Sequence, residues 1–241
     1  MEERKYQRVL LKLSGEALMG EASYGISRQV LLKTVGEISA LTRMNVEIAI
    51  VIGAGNIFRG VSGASEGMEQ TIADSMGMLA TVINALAIQD ALISQGHAGV
   101  VMSAIAMRNV CKSFNRHRAL RYLSEGKIII FAAGTGNPFF TTDTAAVLRA
   151  LEINADVILK ATRVDGVYDK DPLKHPEAVK FPSLTYSEVL TRNLKVMDAT
   201  AISLAREYNK PIVVFNMNIP GNILKAVLGE NIGTLVTEGN I

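Results

Sequence analysis

Short apolar runs of strand length alternate with segments of helical periodicity along nearly the whole chain. This alternation restricts the fold more than any other feature. The runs are Val9–Leu13, Glu47–Ile52, Gly99–Ser103, Lys127–Ala132, Val157–Lys160, Pro211–Phe215 and Thr234–Val236. Helical patterns cover Ser27–Arg43, Met68–Ser94, Arg116–Ser124, Asp143–Glu152, Ser187–Arg192, Ala199–Tyr208 and Gly221–Leu228. Strands bounded by helices form βαβ units and therefore a mostly parallel sheet. The runs are continuously apolar rather than alternating, which fits burial on both faces. The prediction is an α/β fold. The Pro172–Pro182 stretch reads as an exposed loop with a possible hairpin, dividing a larger N-terminal part from a smaller C-terminal part.

Composition narrows the function. The chain has 241 residues, 49% of them apolar, and a mean hydropathy of +0.23. Such a balance points to a large core plus a buried subunit interface. The net charge is only +2, Trp is absent, and the aromatics do not interleave with Arg or Lys, so no nucleic-acid surface is expected. The single cysteine, Cys111, allows no internal disulfide and suits a reducing cytoplasm. His97, His117 and His175 are scattered, so no metal site held directly by protein ligands is expected. The charged start MEERKYQR is neither a signal peptide nor an anchor. The region Met76–Ile93 holds Thr81, Asn84, Gln89 and Asp90 and reads as too polar to span a bilayer, so no membrane is expected. That helix is nevertheless apolar on most faces. One face can pack on the sheet; another, with Ile83 and Leu86 as outward positions, needs a partner. A symmetric dimer is the simplest solution.

Ligands in open parallel sheets bind at the carboxyl ends of strands, and four such ends carry notable residues. Residues 134–143 read GTGNPFFTTD directly after Ile128–Phe131. Glycines let backbone approach a ligand, and threonines with free N–H groups at a helix start favour a phosphate. Leu11-Lys12-Leu13-Ser14-Gly15 places a lysine inside an apolar strand, either awaiting an anion or snorkelling to water. Ile52-Gly53-Ala54-Gly55-Asn56 is followed by Arg59, whose planar fork suits a phosphate. Residues 160–172, KATRVDGVYDKDP, put Tyr168 between two turn signals, where it is placed to stack on a base or sits in a plain surface turn. Asp74 suits a sugar hydroxyl or a helix start. For Asp198, N-capping is the simpler reading. The chain carries no Walker A pattern, no protein-kinase catalytic loop and no Gly-x-Ser-x-Gly elbow.

The set KLSGEAL (12–18), IGAGNIFRG (52–60), DSMGMLAT (74–81), GTGNPFFTTD (134–143), LKATRVDGVYDKDP (159–172) and KVMDATA (195–201) resembles, in order and over the whole chain, the bacterial UMP kinases of the amino-acid kinase superfamily. The resemblance implies a three-layer αβα sandwich with a central, mostly parallel sheet. It implies one kinase domain, with residues 1–153 as a UMP-binding lobe and 154–241 as an ATP-binding lobe. It implies transfer of the ATP γ-phosphoryl group to UMP with Mg²⁺, for pyrimidine nucleotide synthesis. Catalytic roles would fall to Lys12, Arg59, Asp143 and Lys160. ATP would meet Lys12, Leu13, Ser14, Gly15, Gly55, Arg59, Thr162, Tyr168 and Asp171. UMP would meet Ala54, Asp74, Thr135, Gly136, Asn137, Pro138, Phe139, Phe140, Thr141 and Thr142. Relatives respond to GTP as activator and UTP as inhibitor, and Gly20, Glu21, Ala22, Ser23, Tyr24 and Gly25 match a region implicated in activation, although a flexible loop is the simpler reading. A hexamer built as three dimers is also implied. One departure stands out: the family usually reads Gly-Gly-Gly-Asn where this chain has Gly53-Ala54-Gly55-Asn56, and a backbone contact from Ala54 survives if its φ is negative. Rival readings are an acetylglutamate- or aspartate-type kinase and a non-catalytic nucleotide-binding regulator.

Overall fold

Successive side chains of a strand point to opposite faces, so a strand apolar throughout must be covered on both. The computed structural model describes residues 4–58 and 67–239. In chain order the elements are β1 (Arg8–Leu13), α1 (Arg28–Ala40), β2 (Glu47–Ile52), α2 (Gln70–Ser94), β3 (Gly99–Ser103), β4 (Lys112–Ser113), α3 (Arg116–Ser124), β5 (Ile128–Ala132), α4 (Thr142–Glu152), β6 (Val157–Thr162), β7 (Val167–Tyr168), β8 (Lys180–Phe181), β9 (Ser183–Thr185), α5 (Tyr186–Thr191), α6 (Ala199–Glu207), β10 (Ile212–Asn216), α7 (Asn222–Leu228) and β11 (Thr234–Thr237). Among the described residues the main sheet has nine strands in the order β4-β3-β5-β2-β1-β6-β10-β11-β9. All neighbours in it run parallel except β10 and β11.

The two faces separate by residue parity. Val9, Leu11 and Leu13 of β1, with Ile48, Ile50 and Ile52 of β2, pack under α1, α2 and α7 through Val35, Ile88 and Val227. Leu10, Ala49 and Val51 face the other way, onto α3, α4 and α6 through Leu123, Val147 and Ile202. The result is the expected three-layer sandwich. The strand expectations hold to within two residues at each end. Strands β4, β7, β8 and β9 were not foreseen as such, because two or three residues carry no periodic signal. The hairpin is built by β7, which precedes the 172–182 stretch, and β8, which lies near its end.

Helix α2 contradicts the argument from polarity. Within its 25 residues an 18-residue window has a mean hydropathy of 1.6, so by length and composition alone it is apolar enough to cross a bilayer, a test that buried core helices also pass. Here it is a layer of the fold, with Ala85, Ile88 and Leu92 in the core. Its outer stripe is Ile72, Met76, Leu79 and Ile83, with Ile72, Leu79 and Ile83 each about half exposed. Leu86 is not on that stripe, since it packs against the core.

Candidate active site

Strand β1 lies between β2 and β6, and the strand order runs outward from it in both directions. A crevice at the carboxyl ends of strands opens at such a point. Lys12 and Lys160 are register partners on the adjacent strands β1 and β6, so both ammonium groups leave the same face of the sheet. Like charges side by side repel. Asp143, in the first turn of α4, lies between them: Lys12 Nζ is 2.6 Å from Oδ1 and Lys160 Nζ is 2.9 Å from Oδ2. Lys160 also donates to the Val196 carbonyl. Burial alone would raise the Asp143 pKa, but the two lysines outweigh it and hold the carboxyl below its ordinary range. Burial and the neighbouring Lys12 pull the Lys160 pKa down against the attraction of Asp143. Two ammonium groups side by side in a low-dielectric crevice, offset by Asp143 and, at Lys160, by the nearby Asp198, make a place where a phosphate finds cationic partners.

The N-cap of α4 is Thr141, whose hydroxyl accepts from the Asp143 N–H at 3.0 Å. Capping therefore does not explain the Asp143 carboxylate. Asp198 does cap α6, accepting from Ala201 N–H at 2.8 Å. It also accepts from the hydroxyls of Thr141 and Thr144. One carboxylate thus ties the start of α4 to the start of α6, a link that the capping reading did not contain.

The two glycine turns touch. A Cβ on Gly15 would fall 2.3 Å from Asn56 Oδ1 and 2.8 Å from both Gly53 O and Gly55 N, so no larger residue fits there. The φ of Ala54 is negative, which removes the conformational objection to alanine at that position. Ser14 precedes a short 3-10 turn over Gly15–Leu18 and Leu13 ends β1. Arg59 lies outside the described residues.

The 134–143 loop begins with backbone that side-chain-bearing residues rarely adopt. Ala133 has φ of 60° and Phe139 of 69°. Each is held by a bond from the long helix: Ala133 N–H donates to Thr81 Oγ1 at 2.8 Å and Phe139 N–H to Asp74 Oδ2 at 2.8 Å. Strain held in this way clusters at ligand sites. Asp74 therefore already braces the loop, and Gln70 occupies its other oxygen at 2.7 Å. Thr135 and Asn137 bond to one another across Gly136, whose φ is 83°. Phe139 and Phe140 stand exposed beside Pro138, and Thr142 opens α4.

Tyr168 and Asp171 line a cavity of about 340 Å³ with Gly166, Leu194 and Lys195. Tyr168 Oη donates to Asp165 Oδ1 at 2.5 Å, which raises the tyrosine pKa and lowers that of the carboxyl. Thr162 does not join this cavity. Its hydroxyl turns to the Val164 carbonyl at 2.6 Å, and it borders a separate cleft of about 300 Å³ with Ser14, Lys33 and Glu37. Gly20, Glu21, Ala22 and Tyr24 line a shallow hollow with Lys33. Ser23 stands exposed beside them, and Gly25 is bonded through both backbone groups to Asn56. A cavity of about 700 Å³ around Arg108, Lys112 and Arg118 lies at the β3–β4 edge of the sheet, away from the paired lysines. Its volume is less informative than the charge arrangement of the crevice. Sequence reasoning passed over Ala133, Thr81 and Asn84. Thr81 and Asn84, polar residues in an apolar helix, offered a signal; Ala133 offered none.

A family model described as the amino acid kinase family matches residues 7–216. The structure resembles that of the UMP kinase from Bacillus anthracis with a TM-score of 0.94 and 40% identity, covering 98% of this chain and 97% of that one. The UMP kinase from Ureaplasma parvum matches with a TM-score of 0.90 and 36% identity, over 97% and 99% of the two chains. The uridylate kinase from Archaeoglobus fulgidus matches with a TM-score of 0.74 and 28% identity, over 95% and 99%.

Proposed function

Since this chain belongs to the amino acid kinase family and matches UMP kinases over nearly its whole length, we propose that it transfers the γ-phosphoryl group of ATP to UMP. The observation that carries this reading is the Lys12–Asp143–Lys160 arrangement at the carboxyl ends of β1 and β6. A UMP phosphate oxygen forms a bond to the γ-phosphorus while the bond to the bridging oxygen of ADP breaks. The products are UDP and ADP. No general base is required, because the attacking oxygen is already anionic. The task is to bring two polyanions into line, and positioning with charge neutralisation does most of it. Lys12 is placed to neutralise the transferring group, Lys160 to stabilise the nucleotide phosphates, and Asp143 to keep both ammonium groups charged and apart. Ser14, Gly15 and Gly55 offer backbone donors to ATP, together with Leu13 at the strand end and Arg59. Tyr168 and Asp171 frame the adenine nucleotide in their cavity. Residues 1–153 supply the UMP side and 154–241 the ATP side, with UMP held by Ala54, Asp74 and the 135–142 loop.

Magnesium fits this crevice as an ion carried by the nucleotide phosphates. Both oxygens of Asp143 face lysines and both of Asp198 accept from threonines. Bound in that way it would supply charge neutralisation to the nucleotide phosphates. A coupled assay of ADP formation with UMP, CMP, acetylglutamate and aspartate tests the reading; turnover with an amino acid and none with UMP refutes it.

Base choice follows from the same loop. Uracil O4 accepts a hydrogen bond where cytosine N4 donates one, and Thr135 to Asn137 offer donors. A site built for one polar edge leaves groups unpaired with the other base. The expected kcat/KM for UMP exceeds that for CMP by at least about 10²-fold. Comparable values would show that this loop does not read the base.

The exposed stripe of α2 supports assembly through paired helices, extended to three dimers in a hexamer. Light scattering at micromolar protein is expected to give an oligomeric mass, and Leu79→Asp or Ile83→Asp is expected to reduce it. A monomeric wild type, or an unchanged mass in both folded variants, refutes this interface. The 20–25 segment is the proposed contact for GTP activation and UTP inhibition. A cytoplasmic enzyme of pyrimidine nucleotide synthesis suits the single free cysteine.

A further inference from the structure

A buried amide in the middle of an apolar helix is costly unless every hydrogen bond is made. Asn84 of α2 is 0% exposed and Asn56, in the turn after β2, is 1% exposed. Their side chains form a reciprocal pair: Asn84 Nδ2 donates to Asn56 Oδ1 at 2.7 Å and Asn56 Nδ2 donates to Asn84 Oδ1 at 3.0 Å. The remaining amide hydrogens are also engaged. Asn84 Nδ2 donates to Gly53 O at 2.8 Å, and Asn56 Nδ2 donates to Gly25 O at 2.9 Å. The Asn56 carbonyl in turn accepts from Gly25 N–H at 2.8 Å. The network is complete, the state in which buried polar groups fix one conformation.

What this network holds is the phosphate end of the crevice. Gly15 rests directly on Asn56 Oδ1, Gly53 O and Gly55 N. A Cβ on Gly53 would lie 3.2 Å from Gly15 N and 3.6 Å from Thr142 Oγ1. The exits of β1 and β2 and the start of α4 therefore meet at this turn. The N–H groups of Gly15, Ala54 and Gly55 donate to no acceptor among the described residues. These are the donors that must be aimed at an anion, and an apolar side chain at position 84 would leave their aim to the turn itself.

We infer that Asn84 is a positioning residue for phosphoryl transfer, acting through Gly53 and Asn56 to hold the Gly53–Asn56 turn against Gly15. The inference rests on the UMP kinase reading above. Asn84 is buried behind the turn and acts on the reaction through geometry, and displacement of a donor by about 1 Å costs about 10²-fold in rate.

The test compares Asn84→Leu and the milder Asn84→Ser with Ile88→Ala, a core change in the same helix. Three quantities are measured: kcat and KM with UMP and MgATP well below each melting temperature, Tm, and exchange of the hydrogen-bonded amides of Gly53 and Gly25. The expected result is a fall in kcat of about 10²-fold with both KM values within about threefold of wild type, and faster exchange over the turn. Ile88→Ala is expected to lower Tm while keeping kcat. Unchanged kcat and unchanged exchange in the Asn84 variants overturn the inference. So does an equal kcat loss in Ile88→Ala at matched Tm, which would reduce Asn84 to a stability residue. If wild type does not turn over UMP while the variants still show faster exchange, the UMP reading fails and the anchoring of the turn stands.

Discussion

Lys12→Ala is expected to lower kcat by about 10²–10³-fold, equivalent to about 3–4 kcal/mol of transition-state stabilisation, the scale seen when a fixed donor to developing charge is removed. The geometry makes this variant a clean probe. Lys12 and Lys160 share one carboxylate, so removing Lys12 leaves Asp143 paired one-to-one with Lys160 at 2.9 Å. The remaining pair is electrically balanced: Lys160 loses a like-charge neighbour, while Asp143 loses the Lys12 ammonium at 2.6 Å and keeps that of Lys160. Stability should therefore change less than turnover, because each remaining charge keeps a partner while the crevice loses one of its two cations. Steady-state kinetics with UMP and MgATP, alongside a melting curve, checks both halves. Turnover near the wild-type value in a folded Lys12→Ala protein would remove Lys12 from the mechanism.

Asp143→Asn is expected to act in the opposite pattern, harming turnover and stability together. It removes the carboxylate that both ammonium groups share and leaves only Asp198 near Lys160 as a counter-charge, and stranding a buried charge costs up to about 3–5 kcal/mol. Turnover should fall by at least about 10²-fold, because neither lysine is then held where a phosphate needs it. The pH dependence has a definite sign. The folded-state pKa of Asp143 is depressed, so its carboxylate contributes stability that is present above the ordinary carboxylate range and lost as pH falls through the depressed value. The stability gap between wild type and Asp143→Asn should accordingly be full near neutral pH and close in acid. Thermal melts over that range, with kcat measured well below each Tm, decide the matter. A variant that melts early yet keeps its kcat would leave Asp143 as a stabilising ion-pair partner only.

Much of the candidate site was legible because its residues break local rules. Lys12 stands in a run that burial should have kept apolar, and Lys160 does the same on β6. The 134–143 loop joins glycines, aromatics and threonines at a strand exit. Other parts had no such mark. Ala133 is an ordinary residue whose φ of 60° only the folded chain imposes. Thr141 and Asp143 stand two residues apart at one helix start, and periodicity does not say which one caps it. Asp198 reads as a cap and is one, but its bonds to Thr141 and Thr144 connect residues more than fifty positions apart. Leu86 and Ile83 look alike in a helix apolar all round, and only packing turns one inward and the other to the surface.

The sequence by itself determined the α/β class, the parallel sheet and which strand exits carry polar residues out of keeping with their apolar runs. Those follow from hydrophobic period and from polar residues in apolar runs, which act within a few residues of one another. The tertiary structure decided the rest. Register across β1 and β6 put two lysines side by side and brought Asp143 between them. It also carried Asn84 of α2 to the turn after β2, where it completes the bonds of Asn56. Such pairings depend on strand order and helix placement, which arise only when distant segments share one core.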